Sequence, residues 1–244
     1  MTETGLIRKA AELSAGLIQI ADNLPLHDMD QVRLDQLVRQ AETNSIRLEA
    51  GARGMTEEHL HNYIILAEKT GATLLRFVID DKFSYSPGKE AVVSVIRNAL
   101  HDLASRSITL ALENYERMST EELVWIVKKL DSEYVGICLD TANSLGALEG
   151  TGTVVNRLGP FTVNLHIKDI RIYRPEHKLG YVVEGTPAGE GMLPLSWILE
   201  NVSTRCQSAV LEQWVPPEKS IENTLIKEEE WALRSVNNLR KYFS

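Results

Sequence analysis

Long hydrophobic runs are missing from this 244-residue sequence, and so is a secretory signal. No apolar run approaches the roughly 20 residues that span a bilayer. The first ten residues, MTETGLIRKA, lack the basic region followed by an apolar run that marks an exported protein. We therefore expect a cytoplasmic protein without a membrane partner.

Cysteine and positive charge are also scarce. The two cysteines, Cys138 and Cys206, have no CxxC partner, so buried reduced thiols are expected rather than a disulfide or a cysteine metal site. Acidic residues outnumber Lys and Arg by 34 to 26, a formal net charge of −8. Nucleic-acid-binding proteins usually carry a basic patch that follows phosphates, and none is visible here. We expect no nucleic-acid partner.

The remaining composition is that of a globular protein able to bury a sizeable core, with 43% hydrophobic and 25% charged residues. Seven short apolar runs alternate with helical patterns, which predicts a parallel sheet because each helical crossover returns the chain in the same direction. The length suits two small domains or one α/β barrel. A doubly wound open sheet is the weaker alternative, because Asn23–Leu26 after the first run is no Gly-rich phosphate turn.

The predicted fold class is therefore α/β, a (β/α)8-type TIM barrel formed by residues 1–244 as a single domain. Such a barrel needs eight strands. Only seven are found, and the chain opens on what would be the first helix. We therefore expect that the first strand of the barrel is lacking from this chain.

Metal-competent side chains stand where four of the buried runs end. They are Glu113, Asp140, His166 and Glu212. Parallel strands all end on one face of a barrel, so the four should point to one pocket. A single acid at a strand end is more often a helix cap, but three carboxylates placed close together need a cation. Three carboxylates with one imidazole suit Mn²⁺, Mg²⁺ or Co²⁺, with Zn²⁺ as an alternative.

The sequence resembles the xylose isomerase-like barrel superfamily, specifically its sugar phosphate isomerase/epimerase group. The resemblance extends over nearly the whole chain from Gly16. It is carried by Leu112–Asn114, Leu139–Asn143, Leu165–Asp169, Leu211–Glu212 and the loop Pro187–Gly191.

The resemblance implies that Glu113, Asp140, His166 and Glu212 hold one divalent ion and that Glu113 and Glu212 also act as acid and base. Relatives often have a histidine where this chain has Asn143, so a second metal of the class II apurinic endonuclease type is not expected. Asn143 in place of that histidine and the net negative charge of the chain both disfavour an endonuclease.

The function expected is a metal-dependent isomerase or epimerase that acts on a keto sugar or sugar acid through an enediolate. The same intermediate serves loss of water or carbon dioxide, so a lyase, either a decarboxylase or a dehydratase, is the first alternative. A barrel that binds a sugar without turning it over is the second. A homo-oligomer is compatible with the sequence.

Further side chains are candidates for substrate binding, and solvated charges or internal ion pairs are the alternative for most of them. The long segment from Arg171 to Leu193 is expected to be irregular and to act as a lid. Several arginines favour a substrate with an acid group. The candidates are Arg47, Arg76, Asn143, Lys168, Asp169, Arg171, His177 and Trp214.

Overall fold

A parallel sheet forms the centre of the computed structural model, which describes residues 2–81 and 83–243. Within those residues the sheet has seven strands, joined in sequence order, and every pair is parallel. A separate antiparallel pair, β7 and β8, stands outside it. The nine strands are β1 Leu17–Ile20, β2 Arg47–Arg53, β3 Leu74–Val78, β4 Thr109–Glu113, β5 Val135–Asp140, β6 Thr162–Ile167, β7 Asp169–Tyr173, β8 Val182–Thr186 and β9 Ser208–Leu211.

Helices connect the strands and cover the sheet. Their apolar faces pack against the strands, so one continuous core lies between the two layers. Among the helices of the described residues, none combines the length and the apolar character that a membrane crossing needs. The helices are α1 Glu3–Glu12, α2 Gln31–Thr43, α3 Glu57–Thr70, α4 Lys89–Ser105, α5 Thr120–Leu130, α6 Thr151–Leu158, α7 Leu195–Glu200 and α8 Ile221–Leu239.

Local sequence explains where these elements begin and end. Ser119 and Glu122 form a capping box at the start of α5, which satisfies backbone N–H groups that lack a helical partner. Gly71 ends α3 with a φ of 70°, a left-handed conformation that glycine adopts without strain. Strands β3, β4, β5 and β6 are buried along their whole length, as expected for parallel strands covered on both faces.

The sheet curls into a barrel that is nearly closed. Strand β1 pairs with β2 on one side only, and β9 pairs with β6 on one side only. Cα atoms of β1 and β9 come within 8 Å of each other without backbone pairing. We call this interruption between β1 and β9 the seam. The predicted TIM barrel with seven recognisable strands is confirmed.

The segment expected to be irregular contains a hairpin instead. Strands β7 and β8 pair antiparallel from Asp169 with Thr186 to Tyr173 with Val182, so the prediction that Arg171–Leu193 is irregular was wrong. Apolar and polar residues alternate in DIRIY but not in VVEGT, and both stretches are only five residues long. The hairpin starts directly after the His166 strand and therefore stands at the mouth of the barrel.

Candidate metal centre

The four predicted ligands meet at the carboxyl ends of the barrel strands. Glu113 and Asp140 are the last residues of β4 and β5, His166 lies one residue before the end of β6, and Glu212 follows β9. One ligand atom from each side chain lies within 4.8 Å of the others. The first three are buried, and the Glu212 side chain is 29% exposed. Glu212 therefore faces the space open to a substrate.

His166 sits at the centre of the cluster. Its Nδ1 atom lies 3.1 Å from Glu212 Oε1 and 3.6 Å from Glu113 Oε1. Its Nε2 atom lies 2.9 Å from Gln19 Oε1. Burial disfavours a charged ring, but Cys138 and Glu113 outweigh burial and hold the pKa of His166 well above its usual value. The ring nitrogen that faces the carboxylates is thus placed where a cation would be stabilised.

The donor set fits one divalent metal ion. Nδ1 of His166 is buried and has no hydrogen-bond partner within residues 2–81 and 83–243. Three carboxylates from three different strands surround it, and carboxylate oxygen with one imidazole nitrogen is a donor set that Mn²⁺, Mg²⁺, Co²⁺ and Zn²⁺ accept. An ion would relieve the repulsion between the carboxylates and supply the ring nitrogen with a partner.

Two buried cations adjoin the same carboxylates. Arg76 Nε lies 2.5 Å from Glu113 Oε2, and Arg76 Nη2 lies 3.9 Å from Glu212 Oε1. Lys168 Nζ donates to Asp140 Oδ2 and lies 2.7 Å from Glu212 Oε2. Burial disfavours the charged lysine, but Asp140 and Glu212 outweigh it and raise the pKa of Lys168. Burial is likewise outweighed at Glu212, where His166 and Lys168 hold the pKa of the carboxyl well below its usual value.

These charges nearly cancel. Three carboxylates and two cationic side chains leave the cluster with a net charge of minus one when His166 is neutral. A divalent ion would change that sum to plus one. A site with one excess positive charge and little contact with water favours an anionic ligand over a neutral one.

Backbone and amide groups hold the carboxylates in place. Asn143 Nδ2 donates to Glu113 Oε1 at 2.9 Å, and Asp140 Oδ1 accepts from the backbone N–H groups of Ala142 and Asn143, each at 2.8 Å. Asn114 donates to the Asp140 carbonyl and accepts from the Asp140 N–H group. The two neighbouring strand ends are therefore locked to each other before any ion is bound.

A polar space opens beside the cluster. Asp22 lies 3.7 Å from both Arg76 and Arg53, and Arg53 is stacked 4.3 Å from the centre of the Tyr115 ring. Beyond Arg53 lies a cavity of about 340 Å³, large enough for a small sugar. Its lining includes Arg53, Thr56, His59, Asn62, Asp81 and Tyr85.

Comparison with known proteins agrees with the barrel fold. A family model described as a xylose isomerase-like TIM barrel matches residues 7–242. The chain belongs to the xylose isomerase-like TIM barrel family. A relative in this family, 3-oxo-isoapionate decarboxylase of Pectobacterium atrosepticum, is 30% identical over 236 residues, which cover 96% of this chain and 86% of the relative.

Solved structures of the family share the fold at lower identity. D-psicose 3-epimerase from Clostridium cellulolyticum H10, solved with D-tagatose, has a TM-score of 0.73 at 17% identity, over 98% of this chain and 92% of that one. The IolI protein, solved with a zinc atom, has a TM-score of 0.72 at 18% identity, over 100% and 95% of the two chains. These similarities show that the chain has the barrel fold. The sugar and the zinc atom in those structures are ligands of those proteins.

The structure brings half of the predicted substrate-binding residues to the candidate metal centre. Arg76, Asn143 and Lys168 contact the ligand carboxylates. Trp214 stands at the mouth with 41% of its surface exposed, and Lys168 Nζ lies 5.4 Å from the centre of its ring. A Cβ atom on Gly185 of the hairpin would overlap the Trp214 carbonyl, so glycine permits this close packing.

The other half lie elsewhere. Arg47 is exposed at the first position of β2, at the opposite end of the barrel from the carboxyl ends of the strands. Arg171 pairs with Glu184 on the hairpin and is 58% exposed. His177 lies between β7 and β8, and its Nδ1 accepts from the N–H group of Leu179. Asp169 binds backbone N–H groups of the loop at Gly189 and Gly191 instead of facing the cluster.

Two site residues were missed by sequence reasoning. Gln19, in β1, contacts His166, and Asp22, just after β1, lies between the two arginines. Both come from the strand that borders the seam. The only sequence signal was a glutamine inside the apolar run LIQI, and such a residue faces either the interior or the helices with nothing in the sequence to distinguish the two.

Proposed function

We propose that this chain is a lyase that removes carbon dioxide from a 3-oxo sugar acid, with one divalent ion held by Glu113, Asp140, His166 and Glu212. The observation that carries the proposal is the pair of buried cations, Arg76 and Lys168, on the ligand carboxylates. The 30% identity to 3-oxo-isoapionate decarboxylase over 96% of the chain supports it.

Charge explains why these cations suit a decarboxylase. A 3-oxo acid arrives with a negative carboxylate, and the electron pair left when carbon dioxide departs moves onto the ketone oxygen to give an enediolate. A bound divalent ion would polarise that ketone and stabilise the negative charge. Arg76 and Lys168 raise the positive potential around the same space, which favours both the acid and the enediolate over a neutral sugar.

The chain must also deliver a proton. Loss of carbon dioxide breaks one C–C bond, and the carbon that is left takes up one proton, which comes ultimately from water. Glu212 is ionised and is the ligand most exposed to the substrate space, so its proposed role is to take a proton from water and pass it to the carbon; Lys168 at 2.7 Å positions its carboxylate. Glu113, fixed by Arg76 and Asn143, is the second member of the acid/base pair.

The test is to incubate the purified protein with 3-oxo-isoapionate and Mn²⁺ in deuterated water, and to measure carbon dioxide release and deuterium in the product. We expect one deuterium at the former carboxyl-bearing carbon, and loss of turnover after chelation. Lys168→Met should slow release by about 100-fold, as removal of one charge-stabilising donor does. Arg171→Met is the matched control, because Arg171 is an exposed cation on the hairpin, and it should leave the rate unchanged.

A second candidate, an epimerase or isomerase, is favoured by one observation. Glu113 and Glu212 come from different strand ends and lie 3.6 and 3.1 Å from His166 Nδ1, so one carboxylate could remove a proton and the other could return it. Neutral ketoses, tested in the same deuterated buffer, separate the two candidates. Deuterium uptake by a ketose without loss of carbon dioxide from the 3-oxo acid would overturn the decarboxylase and support the epimerase.

A further inference from the structure

Gln19 contacts the metal-centre histidine from the far side of its ring. Gln19 Oε1 lies 2.9 Å from His166 Nε2, the nitrogen that points away from the carboxylates. His166 is fully buried, so the contact is shielded from water. Gln19 belongs to β1 and His166 to β6, and these strands lie on opposite sides of the seam.

A buried acid determines which way the Gln19 amide points. Gln19 Nε2 donates to Glu49 Oε2 at 3.1 Å and to Asn164 Oδ1 at 3.2 Å. A carboxylate only accepts hydrogen bonds, so the NH₂ end of Gln19 must face Glu49. The carbonyl oxygen is then left to face His166.

The same acid orients a second amide. Asn164 Nδ2 lies 3.4 Å from Glu49 Oε2 and donates to Ser208 Oγ at 2.7 Å, which leaves Asn164 Oδ1 to accept from Gln19. Glu49 is 6% exposed and Asn164 is fully buried. No cation touches Glu49 in the part of the chain that the structure describes, so these amides are its hydrogen-bond donors.

The orientation decides the protonation of the imidazole. Because Gln19 Oε1 only accepts, His166 Nε2 must carry a hydrogen, and in the neutral ring the lone pair is then on Nδ1. Nδ1 is the atom that faces Glu113 and Glu212 and has no other partner among the described residues. We infer that Gln19, oriented by Glu49, is a positioning residue that presents the Nδ1 lone pair of His166 to a divalent ion.

This inference rests on the proposed metal centre and extends it across the seam. The four ligands end or adjoin the paired neighbouring strands β4, β5, β6 and β9, so strand pairing holds their backbones together. The imidazole, in contrast, rotates about two bonds, and Gln19 supplies the hydrogen bond that fixes its orientation. Outer hydrogen bonds of this kind typically affect metal affinity by about 10- to 100-fold.

The experiment measures Mn²⁺ affinity of the full chain by electron paramagnetic resonance, without substrate. Gln19→Leu, which removes the acceptor at similar size, should weaken binding about 10- to 100-fold. Glu49→Gln should weaken it less, since an amide at position 49 can accept or donate and no longer enforces one orientation. Thr162→Val is the control, because it removes a buried hydrogen bond at the start of β6, the strand of His166, without touching Gln19, Glu49 or Asn164, and affinity should stay unchanged.

A second readout reports the ring directly. In the Zn²⁺-loaded protein labelled with ¹⁵N-histidine, the Nε2–H proton of His166 should be visible by NMR because Gln19 shields it. In Gln19→Leu that signal should be lost through exchange. Equal Mn²⁺ affinity and an unchanged Nε2–H signal in Gln19→Leu would overturn the inference and leave the proposed function standing. Absence of Mn²⁺ binding by the unmodified chain would overturn both.

Discussion

Arg76 Nε and Glu113 Oε2 lie 2.5 Å apart, and both side chains are almost completely withdrawn from water. Their pairing makes Arg76 and a bound ion compete for one carboxylate. We expect Arg76→Met to lower the free energy of unfolding of the metal-free protein by about 3–5 kcal/mol, because it leaves a buried charge without its partner.

Arg76→Met should lower the free energy of unfolding less in the Mn²⁺-loaded protein, because the ion is then a second cation beside Glu113. Urea unfolding of both forms measures the difference. The double variant Arg76→Met, Glu113→Gln is the matched control and should recover most of the metal-free loss, since no buried charge is left unpaired. An equal loss with and without Mn²⁺ would show that Arg76 and the ion do not share Glu113.

Metal binding should release a proton from His166. In the metal-free cluster Cys138 and Glu113 outweigh burial and raise the pKa of the ring well above its usual value, so the ring is protonated at neutral pH. A metal needs the deprotonated nitrogen, so affinity should increase with pH until the raised pKa is passed. Calorimetry in two buffers of different ionisation enthalpy should give about one proton per ion. His166→Gln should abolish this release, and a pH-independent affinity would contradict the prediction.

Asp169 should stabilise the loop that follows the hairpin. Its carboxylate accepts from the backbone N–H groups of Ile170, Gly189, Gly191 and Leu193 at 2.9 to 3.1 Å. Asp169→Asn replaces one acceptor oxygen by a donor, so we expect a loss of about 2–4 kcal/mol in unfolding free energy and faster proteolysis within residues 187–193.

Glu190→Gln is the control for Asp169→Asn. Glu190 is on the same loop, but it pairs with Arg234 at the surface, so its loss should cost less than about 1 kcal/mol. Equal stability losses for the two variants would show that Asp169 does not hold the loop through its buried hydrogen bonds.

The two thiols should differ in reactivity. Cys138 is completely buried beneath His166, and burial raises the pKa of its thiol to about 12. Cys206 is partly accessible, although burial raises the pKa of its thiol too. In native protein at pH 8, iodoacetamide should modify Cys138 in the Cys206→Ser variant far more slowly than Cys206 in Cys138→Ser. Urea should remove the difference. Rapid native labelling of Cys138 would mean that the core beneath the metal centre opens readily.

The sequence was sufficient to predict that the four proposed ligands lie together, because their positions follow from topology, whereas their binding of a metal stays a prediction. Each ends or adjoins the end of a buried parallel strand, and parallel strands deliver their last residues to one face. Lys168 was predicted near the site for the same reason, whereas Arg76 was named because arginines gather around the second and third strands. A register error of a few residues explains Arg47, which was placed around the end of β2 although it is the first residue of that strand.

Contacts between distant strands were beyond sequence reasoning. Gln19 and His166 are 147 residues apart, and Gln19 and Asn164 are 145 apart. No local pattern indicates which polar side chains meet inside a barrel. The hairpin was missed for a different reason, since strands of five residues with exposed positions resemble a loop in composition.

The barrel can widen most easily at the seam between β1 and β9, where the two strands are not paired. Everywhere else around the barrel, widening must break a ladder of backbone hydrogen bonds, whereas at the seam, within residues 2–81 and 83–243, it stretches side-chain contacts such as Gln19 with Asn164 and with His166. Amide hydrogens on the outer edges of β1 and β9 should therefore exchange with solvent sooner than those of β4 and β5. A ligand that binds both His166 and Glu212 would hold β9 more firmly against β6 at one side of the seam. It would therefore slow the exchange of the β9 amide hydrogens.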